Sequence, residues 1–370
     1  MLTGLIVHEW AEPAGGAERV VDEFVRCYPD ADVQVLWDDT NARFGPRTYE
    51  SWLAKTPLRR HKAAALPFLL PTWRRIPDRA DYEWALISSH LFAHHLKLLT
   101  SRVVPKYVYV HTPARYIWAP ELDSRGGSSL ARAASRVIKP IDKRRAGEAT
   151  SISTNSRYTA DRIAKCWDIE AKVIYPPVNL QKVRSVARDD PTLADEDLRL
   201  LDMLPSPFVL GASRFVRYKR LDLVIRAGEA SGLPVVIAGS GPEEQALREL
   251  AAAASVPVTI LMSPSDQLLF NLYWRAACFV FPAVEDFGIM PIEAMAAGAP
   301  VVSIGSGGAA ESTRLTDGGV TVDDFNDAAA VSEAIRAALL MDRRKVSASV
   351  DQFSADRFRS QIVEWVTSSG

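Results

Sequence analysis

Two carboxylates, Glu285 and Glu293, stand eight positions apart in the stretch FPAVEDFGIMPIEAMAAGAPVV, residues 281–302. Gly288 lies between them, and the residues after it read as a helix with Pro291 at its first position, where the missing N–H costs nothing, and Gly298 at its end. The apolar run 277–281 has strand length, so Glu285-Asp286-Phe287-Gly288 is a strand-to-helix loop. At the carboxyl end of a parallel strand such a loop binds ligands, and the helix start offers N–H groups to an anion. Acid near a helix start also serves as a plain cap on a buried helix, and the pattern alone leaves both readings open.

These loops need sheets to hold them. Apolar runs of strand length alternate with helical patterns along the chain, which predicts α/β architecture with a doubly wound parallel sheet in each half. Strands are expected at residues 4–10, 33–37, 84–89, 107–111, 151–156 and 172–178, then at 208–214, 234–240, 258–262, 278–282 and 300–304. Pro176 and Pro177 stop the first set, and the acidic stretch 187–201 reads as a linker. After the first strand, Gly15 and Gly16 feed an amphipathic helix, a geometry that holds phosphate. Gly239 and Gly241 in GSGPEE resemble a dinucleotide fingerprint, but Glu244 stands at the third glycine position, which argues against an NAD enzyme.

A chain of 370 residues exceeds one ordinary core, so two domains are expected. No apolar run approaches the roughly 20 residues that cross a bilayer, and the first residues lack a basic signal region, which predicts a cytoplasmic protein. Cys27, Cys166 and Cys278 are too widely spaced for a metal or disulfide framework and read as core thiols. The only D-x-D strings, at Asp30–Asp32 and Asp195–Asp197, lie in a turn and the linker, so no metal cofactor is expected. His90, His94 and His95 fall at helical spacing with no third ligand evident, and read as packing residues, with His90 close enough to a strand end to approach a substrate.

The net charge of −1 conceals opposite halves: residues 1–190 hold 29 Lys and Arg against 22 Asp and Glu, and residues 191–370 hold 15 against 23. Arg59, Arg60, Lys62, Arg74, Arg75 and Arg79 alternate with Trp52, Leu66, Phe68, Leu69, Leu70 and Trp73, and a second basic run spans 132–145. No nucleic-acid motif accompanies them, so an anionic membrane surface is the better partner, against a simple solvated face.

The stretch EDFGIMPIEAMAAGAPVV resembles the E-x(7)-E signature of retaining glycosyltransferases of family 4, which have the two-domain GT-B fold. The resemblance extends in order through GGAERV, HTPARYIW, TNSRYTADRI, VIYPPV and GASRFVRYKRLDLVIRA. It implies two Rossmann-like domains facing a central cleft: residues 1–186 for the acceptor, 187–354 for the nucleotide sugar, and a last helix, 355–370, crossing back to the first. It puts Glu285 beside the transferred sugar, Glu293 on the ribose hydroxyls, and the N–H groups near Phe287, Gly288 and Ile289 on the diphosphate or sugar. Arg214 and Lys219 then bind the diphosphate, Gly16 faces it, His111 lies near the sugar hydroxyls, and the Gly239–Gly241 loop lies near the base. The chemistry agrees, since carboxylates accept hydroxyl hydrogen bonds and stabilise an oxocarbenium ion, while an Arg and a Lys stabilise a leaving diphosphate without metal. The implied reaction is transfer of a hexose, most of all α-mannose from GDP-mannose, to a glycan or lipid-linked acceptor at the inner face of the membrane. A UDP-sugar is the alternative donor, and a non-catalytic sugar-nucleotide binder is a distant one. TDGGVTV departs from the family's usual Thr-Gly pair after GGAAES.

Overall fold

The computed structural model describes residues 3–13, 15–99, 103–118, 129–185 and 193–368. The chain divides into two units, Met1–Pro177 with Ala355–Gly370, and Val178–Ser354. In the first, β1 (Gly4–His8), β2 (Asp32–Val35), β3 (Thr48–Glu50), β4 (Trp84–Ser89), β5 (Lys106–Val110), β6 (Ser151–Thr154) and β7 (Lys172–Val173) form a parallel sheet in the order β3-β2-β1-β4-β5-β6-β7. The second holds β8 (Val209–Arg214), β9 (Val235–Ser240), β10 (Val258–Met262), β11 (Cys278–Phe281), β12 (Val301–Ile304) and β13 (Gly319–Val322), in the order β10-β9-β8-β11-β12-β13. Each is the doubly wound architecture expected. Strands β1, β2, β4 and β5 are buried along their whole length; β1, β4 and β5 read largely as apolar runs, whereas β2 alternates, with Asp32 and Gln34 buried as well.

The expected boundary at 186 falls earlier, after Pro177, because the Val178 N–H bonds to Phe353 O at 2.9 Å and Val178 bridges to Ser354. Residues 187–192 of the expected linker lie outside the described residues. Its remainder is a helix, Asp195–Met203, whose three acids fill the first turn, where the dipole favours them, while Leu201 is buried. Acidic composition was thus a helix start rather than a linker.

The last helix, Ala355–Ser368, belongs to the first unit. Phe358, Ile362 and Trp365 are buried in one cluster with Val20, Val21 and Phe24 of helix Gly16–Cys27. Each large side chain so buried contributes about 1.5–3 kcal/mol. Phe358 stacks on Phe24 at 6.0 Å, and the Trp365 indole N–H donates to Ser151 Oγ at 2.8 Å.

His94 and His95 are not on a helix surface: they end a buried single turn, Ala93–His95, after β4, and a third group is present. Asp142 Oδ1 meets His94 Nε2 at 3.1 Å and His95 Nε2 at 2.9 Å, and its Oδ2 accepts from the indoles of Trp118 at 2.7 Å and Trp167 at 2.8 Å. Four N–H donors therefore surround one buried carboxylate, which fastens helix Ser129–Ala146 to the turn after β4 and to helices Arg115–Trp118 and Arg157–Trp167. Burial pushes the thiols of Cys27 and Cys166 up to about 11 and that of Cys278 up to about 12, so all three are inert.

Candidate active site

In each sheet the strand order turns back once, between β1 and β4 and between β8 and β11. Loops leaving the two carboxyl ends at such a reversal diverge and open a crevice.

In the second unit β8 delivers Arg214, its last residue, and then the single turn Arg217–Lys219; β11 delivers Phe281 and the loop that carries Glu285. The two loops meet in an ion pair between Lys219 Nζ and Glu285 Oε1. Lys219 is 8% exposed, and its ammonium lies 5.2 Å and 5.8 Å from the ring centres of Tyr218 and Phe281. A cation taken out of water between two aromatic rings and a carboxylate is held in place by attraction. Arg214 is exposed and donates to the Tyr218 hydroxyl at 2.9 Å, so Tyr218 steadies both cations.

Gly288, at φ 85°, opens helix Ile289–Ala296. The helix therefore begins before Pro291, which occupies the first turn rather than the first position; the N–H it lacks is still one that has no partner within the helix. That first turn contains no acid, and Glu293, 6% exposed, lies further along the helix. Phe287 is buried edge-on against Phe353 at 5.8 Å. Behind the loop, Gly308 N–H donates to Glu285 O at 2.7 Å, and a Cβ on Gly307 (φ 89°) would stand 2.9 Å from the same oxygen. Only glycine lets this second helix start, Gly308–Thr316, press on the loop backbone and fix Glu285. Gly239, near the end of β9, and Gly241, just after it, lie against the backbone of Ser213 and Phe215, next to the end of β8.

The first unit's reversal gathers a different set. His8 ends β1 and is wholly buried; its Nδ1 meets Ser88 Oγ at 3.0 Å, and the same Oγ meets His111 Nε2 at 2.8 Å. Glu9 Oε1 accepts from the N–H groups of Leu91 at 2.7 Å and Ala93 at 2.9 Å. Burial holds the Glu9 carboxyl above the usual range. Among the described residues Glu9 Oε2, His8 Nε2 and His90 Nδ1 have no hydrogen-bond partner. Gly16 begins its helix as expected, but the anion at that helix start is Glu18, whose Oε1 accepts from Glu12 N–H at 3.3 Å and whose carboxylate covers Gly15.

Arg214, Lys219, Glu285, Glu293 and Phe287 to Ile289 thus belong to the carboxyl ends of β8 and β11 and the segments that follow them, with Gly239 and Gly241 at the end of β9, while Gly16 and His111 belong to the first unit. Sequence reading missed Tyr218, Phe281, His8, Glu9, Glu18 and Ser88. Polar residues closing apolar strands were the available signal for His8 and Ser88. The Gly307-Gly308 pair was visible only as part of the resemblance.

Residues 14–182 match the family described as Glycosyltransferase Family 4, and residues 203–352 match Glycosyl transferases group 1. The GDP-mannose-dependent alpha-(1-6)-phosphatidylinositol monomannoside mannosyltransferase of Mycobacterium tuberculosis H37Rv is 32% identical over 60% of this chain and 59% of its own length. Human alpha-1,3/1,6-mannosyltransferase ALG2 is 26% identical over 65% of this chain and 64% of its own. The match thus spans under two thirds of these curated relatives. Among solved structures, Anabaena HepE in complex with UDP and glucose superimposes with a TM-score of 0.66 at 18% identity, covering 100% of both chains. Residues 14–182 thus carry a family 4 glycosyltransferase domain and residues 203–352 a group 1 glycosyltransferase domain, on two parallel-sheet units of GT-B type, and the chain is a glycosyltransferase.

Proposed function

We propose that the chain is a retaining hexosyltransferase that moves α-mannose from GDP-mannose to a glycan or lipid-linked acceptor. The observation that carries this reading is the Lys219–Glu285 ion pair at the β8/β11 reversal, which sets a cation and a carboxylate where a glycosyl diphosphate separates into charges. As the bond from the anomeric carbon to the diphosphate oxygen breaks, its electron pair goes to the diphosphate. Lys219 and Arg214 stabilise that charge, and Glu285 stabilises the oxocarbenium ion. Retention puts the acceptor hydroxyl on the leaving group's own face, so the departing diphosphate is the nearest base for its proton. Glu293 holds the ribose hydroxyls, and in the first unit His111 faces the sugar. The mannosyltransferase names of the relatives support mannose as the sugar and GDP as the nucleotide. Thermal shifts with GDP-mannose, UDP-glucose and UDP-N-acetylglucosamine test the donor, because a ligand that binds the folded state raises its stability. GDP-mannose should raise it most; a larger rise with a UDP-sugar overturns the choice. Chelator should leave turnover unchanged, since the two cations replace a metal, and loss in EDTA restored by magnesium or manganese contradicts this.

The same reading places the enzyme on an anionic membrane. On helix Lys62–Trp73 the exposed residues are Ala63, Ala64, Pro67, Phe68 and Pro71, all apolar, and Trp52 stands beside them at 53% exposure, edge-on to Phe68 at 6.2 Å. Arg59, Lys62 and Arg74 are already paired with Asp39, Glu12 and Glu148, so Arg60 and Arg75, with no ion pair among the described residues, carry the attraction. No helix among the described residues is long and apolar enough to cross a membrane.

A further inference from the structure

A line of polar contacts runs along the carboxyl edge of the first sheet, from Glu18 through His8 and Ser88 to His111. We infer that this line decides which ring nitrogen of His111 carries its proton, so that Glu18, His8 and Ser88 are positioning residues for a hydroxyl bound at His111.

Ser88 has one hydroxyl proton but touches two imidazoles, His8 Nδ1 at 3.0 Å and His111 Nε2 at 2.8 Å. It can donate to only one of them, so the two rings cannot both present a lone pair to it, and a lone pair on His8 Nδ1 calls for an N–H on His111 Nε2. Glu18 Oε1 lies 3.9 Å from His8 Nε2, and a carboxylate favours an N–H over a lone pair on the nitrogen that faces it. In the His8 tautomer that turns its N–H toward Glu18, the Nδ1 lone pair faces Ser88 and accepts its proton. The Ser88 oxygen is then left to accept from His111 Nε2–H, and His111 Nδ1 keeps its lone pair. That nitrogen takes a hydrogen bond from a hydroxyl and repels a phosphate or carboxylate oxygen. The ligand class selected at His111 is therefore a sugar hydroxyl rather than an anion.

The premises hold on the charges. Burial works against the Glu18 charge, but His8 and the backbone N–H groups of Glu18 and Glu12 outweigh it, so its carboxyl lies below the usual range and is ionised. Burial holds His111 at about 3, so it stays neutral and only its tautomer is free to vary.

The inference rests on His111 facing the sugar, but the tautomer belongs to the protein alone and is measurable without substrate. Histidine-nitrogen-15 spectra at mildly alkaline pH, with His111 assigned by its loss in His111→Gln, read it directly. Wild type should show His111 protonated chiefly at Nε2. Glu18→Gln removes the charge and should shift it toward Nδ1–H, whereas Glu18→Asp, which keeps the charge, should leave it unchanged. In Ser88→Ala the line is cut, and adding Glu18→Gln should then change nothing at His111. An unchanged tautomer in a folded Glu18→Gln protein, or the same response with and without Ser88, overturns the relay. Neither result bears on whether GDP-mannose is the donor, which the thermal shifts decide separately.

Discussion

The helix starts at the two sheet reversals differ in what sits on them. In the first unit, helix Gly16–Cys27 carries its own Glu18 carboxylate in its first turn, buried and accepting from the Glu12 N–H of the loop before it. In the second, helix Ile289–Ala296 has no acid in its first turn, and Glu285 is turned to Lys219 instead. A helix dipole stabilises one anion at its start, so the first is satisfied from within, and the second leaves a place for a ligand's charge. The difference teaches that two loops alike in sequence, each glycine-led at a strand's carboxyl end, divide the work. On the proposed function the second unit takes the diphosphate, and the first offers buried histidines and an apolar, basic face. Histidine follows the same division, since all six lie in the first unit.

The largest effect should come from the ion pair. Lys219→Ala removes a preorganised cation and should cost about 2–4 kcal/mol in kcat/KM, and Arg214→Ala less, because it is exposed. Glu285→Gln should reduce turnover on a similar scale, about 100- to 1,000-fold, yet leave donor affinity nearly intact, as its charge acts in the transition state. Glu293→Ala should do the converse and weaken nucleotide binding by about tenfold, roughly the worth of hydrogen bonds to a charged group. Equal, small effects of both changes in calorimetric titration and turnover would reduce the pair to helix capping and erase the contrast between the units.

Acid should separate the units next. Burial, and then the neighbouring imidazole, hold His95 at about 4, and burial holds His111 at about 3, whereas both take a proton near 6.5 when unfolded. Their folded pKa values are depressed, so the stability they contribute is full above 6.5 and is lost as pH falls toward 4 and then 3. Glu148 adds a lower window: burial opposes ionisation, but Arg74, Arg145 and Lys106 outweigh it and hold the carboxyl at about 2, so its contribution fades as pH falls below 4.5. Amide hydrogen exchange at stepwise lower pH should show the first unit losing protection before the second. Simultaneous loss contradicts the division.

Much of this was legible in the sequence. Long apolar runs between glycine turns gave the strands at the sheet centres, because parallel strands buried on both faces leave no other pattern. The site residues Glu285, Glu293, Arg214 and Lys219 stood at a spacing that resemblance could read. What stayed hidden depended on tertiary contact. Strands β3 and β13 are short and partly exposed, so neither apolar run nor alternation marked them. The third partner of His94 and His95 is distant in the chain, and the position of the Glu18 carboxylate over Gly15 follows from a side-chain rotamer rather than from spacing.

The smallest effect should be on membrane binding, where each exposed cation contributes about 1 kcal/mol. Arg60→Ser with Arg75→Ser should weaken sedimentation with phosphatidylserine vesicles at low salt, as should Trp52→Ser with Phe68→Ser, while GDP-mannose binding is spared. Wild type that ignores such vesicles at low salt removes the membrane from the account.

The central claim is that the second unit's ion pair breaks a glycosyl diphosphate with retention. Its most direct test is proton NMR of GDP-mannose incubated with the protein and no acceptor, followed from the first minutes. The account predicts slow release of GDP with α-mannose as the first anomer, unaffected by chelator and nearly abolished in Glu285→Gln. First appearance of β-mannose, or equal release by wild type and Glu285→Gln, would contradict it.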